Sequence, residues 1–189
     1  MKISNLGIDG AWLIEPNIYI DNRGSFHENF NRYNLLNETG IEFNVAQCNI
    51  SKSHNNVIRG IHFSLADSGQ SKLVGCISGS VQDVVVDIRI GSKTFGKWIS
   101  IDLNSDSNCY ILISGDLGHA FQSQAENTRL SYLVGSEYSP KLEWGINPLD
   151  KDLDIKWRQK FSVMSQKDVE AKSLKEMRHA ELLPIFGRD

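Results

Sequence analysis

Apolar residues along this chain recur at a spacing of two far more often than at 3.6, the pattern of strands that bury one face. Residues 73–90, LVGCISGSVQDVVVDIRI, alternate or run apolar with many β-branched side chains. They predict two strands folded about a Ser78-Gly79 turn. Residues 98–103 alternate cleanly and end in the polar cluster 104–108. Residues 109–113 form the next predicted strand, closed by a Ser114-Gly115-Asp116 turn, and 130–134 another. Shorter candidates lie at 12–14, 18–20 and 43–48. Many short strands joined by Gly, Asn, Asp and Ser turns predict an all-β sandwich or barrel. Two segments break the pattern. Residues 31–39 predict a short helix stopped by Gly40. Residues 165–182 predict a longer one, opening on Ser165 with Asp168 three positions on, a start resembling a capping box.

Composition narrows this picture. At 189 residues without repeats, low-complexity runs or a linker, the chain predicts one domain. Hydrophobic content of 40% and charged content of 23% are those of an ordinary folded protein. The formal charge of −3 argues against a nucleic-acid binder, which needs a basic face, but leaves room for a local basic pocket. No apolar run is long enough to span a bilayer, and no signal-peptide core follows Met1. The expectation is a cytoplasmic protein with no membrane partner. The three cysteines, Cys48, Cys76 and Cys109, are widely spaced and odd in number. That suits neither a disulfide framework nor zinc and predicts reduced, mostly buried thiols.

Four clusters could carry chemistry. Arg59-Gly60-Ile61-His62-Phe63 is followed by Lys72. In a regular strand Arg59, Ile61 and Phe63 share one face and His62 takes the other; the sequence leaves open whether His62 faces a pocket or solvent. Gly118-His119-Ala120-Phe121 offers a second His at a strand start, without the His-x-His and Glu of metal-binding cupins, so no metal site is expected. Tyr132 and Tyr138 could supply a proton donor, although strand tyrosines commonly just pack. Asp21-Asn22-Arg23-Gly24-Ser25-Phe26, with Glu28 beyond, suits an anion-binding edge or an ordinary exposed hairpin.

Taken in order, these segments resemble the dTDP-4-dehydrorhamnose 3,5-epimerase family. Its pattern of Asp-x-Arg-Gly-x-Phe, Gln-x-Asn, Arg-Gly-Leu-His and a Lys is met by Asp21–Phe26, Gln47-Cys48-Asn49, Arg59-Gly60-Ile61-His62 and Lys72. Further matches are 79–89, Ser92-Lys93-Thr94-Phe95-Gly96-Lys97-Trp98, Tyr132, Tyr138-Ser139-Pro140 and Ser165-Gln166-Lys167-Asp168. One segment departs: the family's Ala-His-Gly-Phe reads Gly118-His119-Ala120-Phe121.

The resemblance implies a double-stranded β-helix, the cupin or jelly-roll barrel. It implies one domain over 1–189, with a barrel core at 40–140, N-terminal strands at 11–30 exchanged in a homodimer and a helical segment at 165–183. The implied reaction is epimerisation of dTDP-4-keto-6-deoxy-D-glucose at C3 and C5 through enolate intermediates, giving dTDP-4-keto-L-rhamnose, with no cofactor. His62 would be the base, Asp168 its orienting partner, Tyr132 the acid and Lys72 the group at the enolate oxygen. The resemblance puts Arg23, Phe26 and Glu28 on the strand reaching the neighbouring subunit's site, and Gln47, Asn49, Arg59 and Tyr138 on the home subunit. His119 and Asp83 would shape the pocket and Glu143 line its nucleotide end. Inversion of a single centre is the nearest rival; a non-catalytic nucleotide-sugar-binding cupin and a metal-dependent oxygenase of the same fold are others.

Overall fold

The computed structural model describes residues 1–66, 69–160 and 163–187. Its strands are β1 (Lys2–Asn5), β2 (Ala11–Glu15), β3 (Ile18–Asp21), β4 (Gly24–His27), β5 (Gln47–Ser53), β6 (Ile58–Ser64) and β7 (Lys72–Ser78). They continue as β8 (Ser80–Val86), β9 (Trp98–Asn104), β10 (Tyr110–Ile113), β11 (Gly118–Ser123), β12 (Thr128–Val134) and β13 (Glu143–Gly145). The helices are α1 (Arg32–Thr39), α2 (Gln166–Val169) and α3 (Leu174–His179).

Two antiparallel sheets face each other in the jelly-roll manner. One runs β1-β2-β10-β7-β12-β5 and the other β13-β6-β11-β8-β9. Alternation explains the layering. Val81, Val85 and Phe121 point between the sheets to meet Val74, Ile111 and Leu130. Their neighbours Val84, Val86 and Ala120 point outward, where Leu153, Leu174, Met177 and Leu183 of the C-terminal segment cover them. Ile14, Leu73 and Leu112 face out from the other sheet and are covered by Leu35 and Phe43.

The predicted strands at 73–90 and 98–103 appear as β7, β8 and β9. The ladder predicted at 43–48 begins only at Gln47. Phe43 is buried beneath the six-stranded sheet, which draws the preceding backbone away from β12. Strand β2 pairs with β10 inside the barrel. The segment standing apart therefore starts at Ile18, not residue 11: β3 and β4 pair only with each other. The three cysteines are free, but only Cys76 is buried and Cys48 is exposed.

The single helix predicted over 165–182 is two short ones. Ser165 caps α2 by accepting from the Asp168 N–H, and Ser173 caps α3 in a full capping box with Glu176. Between them the backbone is needed elsewhere: the Asn147 N–H donates to the Lys172 carbonyl and Ile146 bridges Lys172. The capping box from Ser173 to Glu176 marks the break.

Strand β6 carries one more residue than its partner. His62 pairs with His119 and Arg59 with Phe121, so Gly60 and Ile61 together oppose Ala120, a β-bulge. A Cβ on Gly60 would lie 2.5 Å from the Ala120 Cβ, and one on Gly118 2.6 Å from the Ile61 Cγ2. Gly118→Ala should therefore cost roughly 1–3 kcal/mol of stability by overpacking. The double variant I61L/G118A, which removes the obstructing Cγ2 methyl, should recover most of it in urea unfolding. A double variant no more stable than G118A would contradict the contact.

Candidate active site

A cavity of about 550 Å3 is bounded by β6, β13, the start of β7 and residues 163–168. The bulge decides what faces it. An unbroken strand would put Arg59 and His62 on opposite sides; the extra residue brings both to the cavity wall while Ile61 and Phe63 are buried behind. The expected shared face of Arg59, Ile61 and Phe63 is thus overturned by the bulge.

His62 Nε2 lies 2.7 Å from Asp168 Oδ1. The carboxylate is buried and the imidazole is 41% exposed in its side chain, a ring anchored at one end and open at the other. Burial alone would raise the Asp168 carboxyl, but hydrogen bonds from His62, Ser165 and the Gly60 backbone hold it below the ordinary range.

Lys72 opens β7 and is buried, with its Nζ donating to the Gln70 carbonyl at 3.2 Å. Desolvation lowers its ammonium to about 8, opposed by the charge of Glu143. Glu143 lines the same cavity, with Oε1 buried and unpartnered. This sets Glu143 beside Lys72.

Tyr132 rises from β12 on the facing sheet. Its hydroxyl is 3.1 Å from Ser51 Oγ on β5, and its ring meets His119 edge-on at 6.3 Å between centroids. Burial raises its phenol well above the usual value; Asp83 adds to this, while Ser51 and Arg59 oppose it. His119 Nε2 sits 2.9 Å and 3.0 Å from the two Asp83 oxygens, a buried pair.

The home-strand polar residues form one row. Gln47 Nε2 donates to Asn49 Oδ1 at 2.7 Å, and Gln47 Oε1 accepts from the Tyr138 N–H. Arg59 Nε donates to Ser53 Oγ. Tyr138 borders the cavity and is 60% exposed. Arg23, Phe26 and Glu28 do not join their own chain's cavity. All three are exposed, and Arg23 is ion-paired to Asp21. Ser51 was missed from the sequence, yet Gln47, Asn49, Ser51 and Ser53 are polar at every second position, the sign of a hydrophilic inner face. Trp144, Met164 and Lys167 also line the cavity; no sequence pattern marks the first two.

His62 on one sheet, held by Asp168 of α2, thus stands with a partly buried tyrosine, Tyr132, on the facing sheet of a jelly roll. The family profile described as dTDP-4-dehydrorhamnose 3,5-epimerase matches residues 5–176. A dTDP-4-dehydrorhamnose 3,5-epimerase from Mycolicibacterium smegmatis is 38% identical over 188 residues, covering 99% of this chain and 92% of that one. A 4-keto-6-deoxy sugar epimerase from the novobiocin biosynthetic gene cluster of Streptomyces spheroides has a TM-score of 0.96 at 38% identity, covering 100% and 94% of the two chains. A 3'-monoepimerase from Streptomyces bikiniensis, solved with dTDP-quinovose, gives 0.92 at 40% identity, covering 96% and 92%. The chain belongs to the dTDP-4-dehydrorhamnose 3,5-epimerase family, and it is an isomerase of the epimerase class.

Because its folded carboxyl is depressed, Asp168 contributes stability that is intact above the ordinary Asp value of about 3.9 and lost as pH falls through its lower folded value. Asp168→Asn should remove that part of the acid limb in denaturant midpoints measured against pH. An acid limb as steep as the parent's would contradict the dyad.

Proposed function

We propose that this protein inverts dTDP-4-keto-6-deoxy-D-glucose at C3 and C5 through enolate intermediates, giving dTDP-4-keto-L-rhamnose. The observation that carries the proposal is the placement of His62 and Tyr132 on facing sheets of one barrel. Epimerisation beside a ketone needs a base on one face of the sugar and an acid on the other. The C4 carbonyl supplies the acidity, so neither a redox group nor a metal is part of the scheme.

His62 takes the proton from carbon. Asp168, at 2.7 Å, fixes the imidazole and stabilises the imidazolium that results. The electron pair moves into the carbonyl, and Lys72 meets the oxyanion with a charge already stripped of water. Tyr132, kept protonated by burial, returns a proton to the opposite face. Arg59 suits the diphosphate through its forked donors, while Tyr138 offers a stacking surface for the base. His119 and Asp83 hold the pocket's inner wall, and Gln47 and Asn49 its home-strand rim. Hairpin β3–β4 supplies Arg23, Phe26 and Glu28 to a second copy's cavity in a homodimer. Support for this comes from its isolation from the barrel and its exposed Ile18, Tyr19, Ile20 and Phe26.

A second reading is inversion at C3 alone. It draws support from a 40% identical relative in Streptomyces bikiniensis named dTDP-4-dehydro-6-deoxyglucose 3-epimerase. Turnover of dTDP-4-keto-6-deoxyglucose in heavy water separates the two: label at C3 and C5 is expected, and label at C3 only would overturn the double inversion. His62→Ala should abolish exchange while dTDP still binds, and normal turnover by that variant would sink the base assignment. The kcat/KM profile should fall above pH about 8 as Lys72 loses its proton. Lys72→Met should lack that limb and lose about 10²–10³ in kcat; an unchanged profile in the variant would exclude Lys72 as its source.

A further inference from the structure

Tyr132 poses a problem that its own geometry answers. Once the partly buried Tyr132 phenol has given its proton to carbon, the phenolate must be reprotonated before another turnover. The groups around it come from five strands: Ser51 on β5, Arg59 on β6, Cys76 on β7, Asp83 on β8 and His119 on β11. Asp83 and His119 Nε2 face each other, and Cys76 Sγ donates to the Ser78 carbonyl. Arg59 is committed through Nε to Ser53 and through Nη2 to the Lys52 carbonyl. The Ser51 hydroxyl is in direct contact with the phenol oxygen, at 3.1 Å. It both donates and accepts, and it sits half-buried on the outermost strand of its sheet, next to exposed Ile50 and Lys52.

We propose that Ser51 is a positioning residue for Tyr132 and the relay that restores its proton. The inference rests on Tyr132 being the acid. In the forward step the enolate π pair forms the new C–H bond with the Tyr132 proton, leaving a phenolate. The Ser51 O–H then breaks toward that oxygen, re-forming the phenol, and Ser51 Oγ takes a proton from water. His62 releases the proton it took from carbon to solvent, so the cycle is neutral. Between proton transfers the same hydroxyl donates to the phenolate and fixes the direction of the phenol.

The test compares Ser51→Ala, Ser51→Thr and Tyr132→Phe with the parent enzyme. Measured quantities are kcat, KM, the solvent deuterium isotope effect on kcat and dTDP affinity. S51A should lose about ten- to a hundred-fold in kcat, the worth of one hydrogen bond to a charged oxygen. Its isotope effect should rise while KM and dTDP affinity hold, and S51T, which keeps a hydroxyl, should recover most of the rate. A general packing defect would lower S51T and dTDP binding alongside kcat, and that result overturns the proposal. If Y132F loses turnover while S51A keeps the parent kcat and isotope effect, the Ser51 role alone is wrong. If Y132F turns over normally, the acid assignment fails, and the relay with it.

Discussion

The hydrogen bond between His62 and Asp168 is the constraint on which the site depends. It joins a barrel strand to a segment over a hundred residues later. Asp168 lies on a helix of only four residues. Had the helix run on through residue 182, Lys172 could not bridge Ile146, and Asn147 could not cap Val169 and Lys172 with its side-chain and backbone N–H groups. Those bonds fix α2 against the end of β13. Leu174 and Met177 of α3 then bury against Val86 and Ile61, closing the outer face of the five-stranded sheet. The same C-terminal segment thus covers a core and orients a ring. Burial of its apolar side chains is the driving force; the carboxylate is delivered as a consequence.

The bulge in β6 is the second requirement. Strict alternation would send Arg59 and His62 to opposite faces. One extra residue opposite Ala120 corrects this, and Gly60 accommodates it, with a φ of 125° and no room for a Cβ. The swap of Gly118 and Ala120 relative to the family pattern sits in the same place. Ala120 and Ile61 are buried in the outer layer, behind the histidines rather than among them. Gly118 leaves the space that the Ile61 Cγ2 methyl fills. The departure is a repacking of the back of the sheet, and His62 and His119 remain cross-strand partners in front of it.

Much of this was legible in the residues. Strands at 73–86 and 98–103 follow from alternation, and the end of α1 from Gly40. Of the residues the resemblance pointed to, Arg59, His62, Ser165 and Asp168 line one cavity, and Tyr132 stands on the facing sheet. What escaped was long-range or anti-periodic. Local spacing could not show that β6 breaks its alternation, because the bulge is defined by a partner strand sixty residues away. The break after α2 escaped because bonds from 146–147 cause it. Phe43 leaves the sheet for a cluster that no local pattern announces. Ser51 was visible as polar alternation, but only the fold shows that it meets the Tyr132 hydroxyl.

Under the proposed mechanism, proton removal and proton return are carried by opposite sheets and can be separated. Proton exchange by Tyr132→Phe, followed by NMR in heavy water, tests it most directly. With His62 and Lys72 intact, the variant should wash deuterium into unconverted substrate beside the ketone while forming no epimer. Epimer formation at the parent rate, or loss of exchange together with inversion in a variant that still binds dTDP, would contradict it.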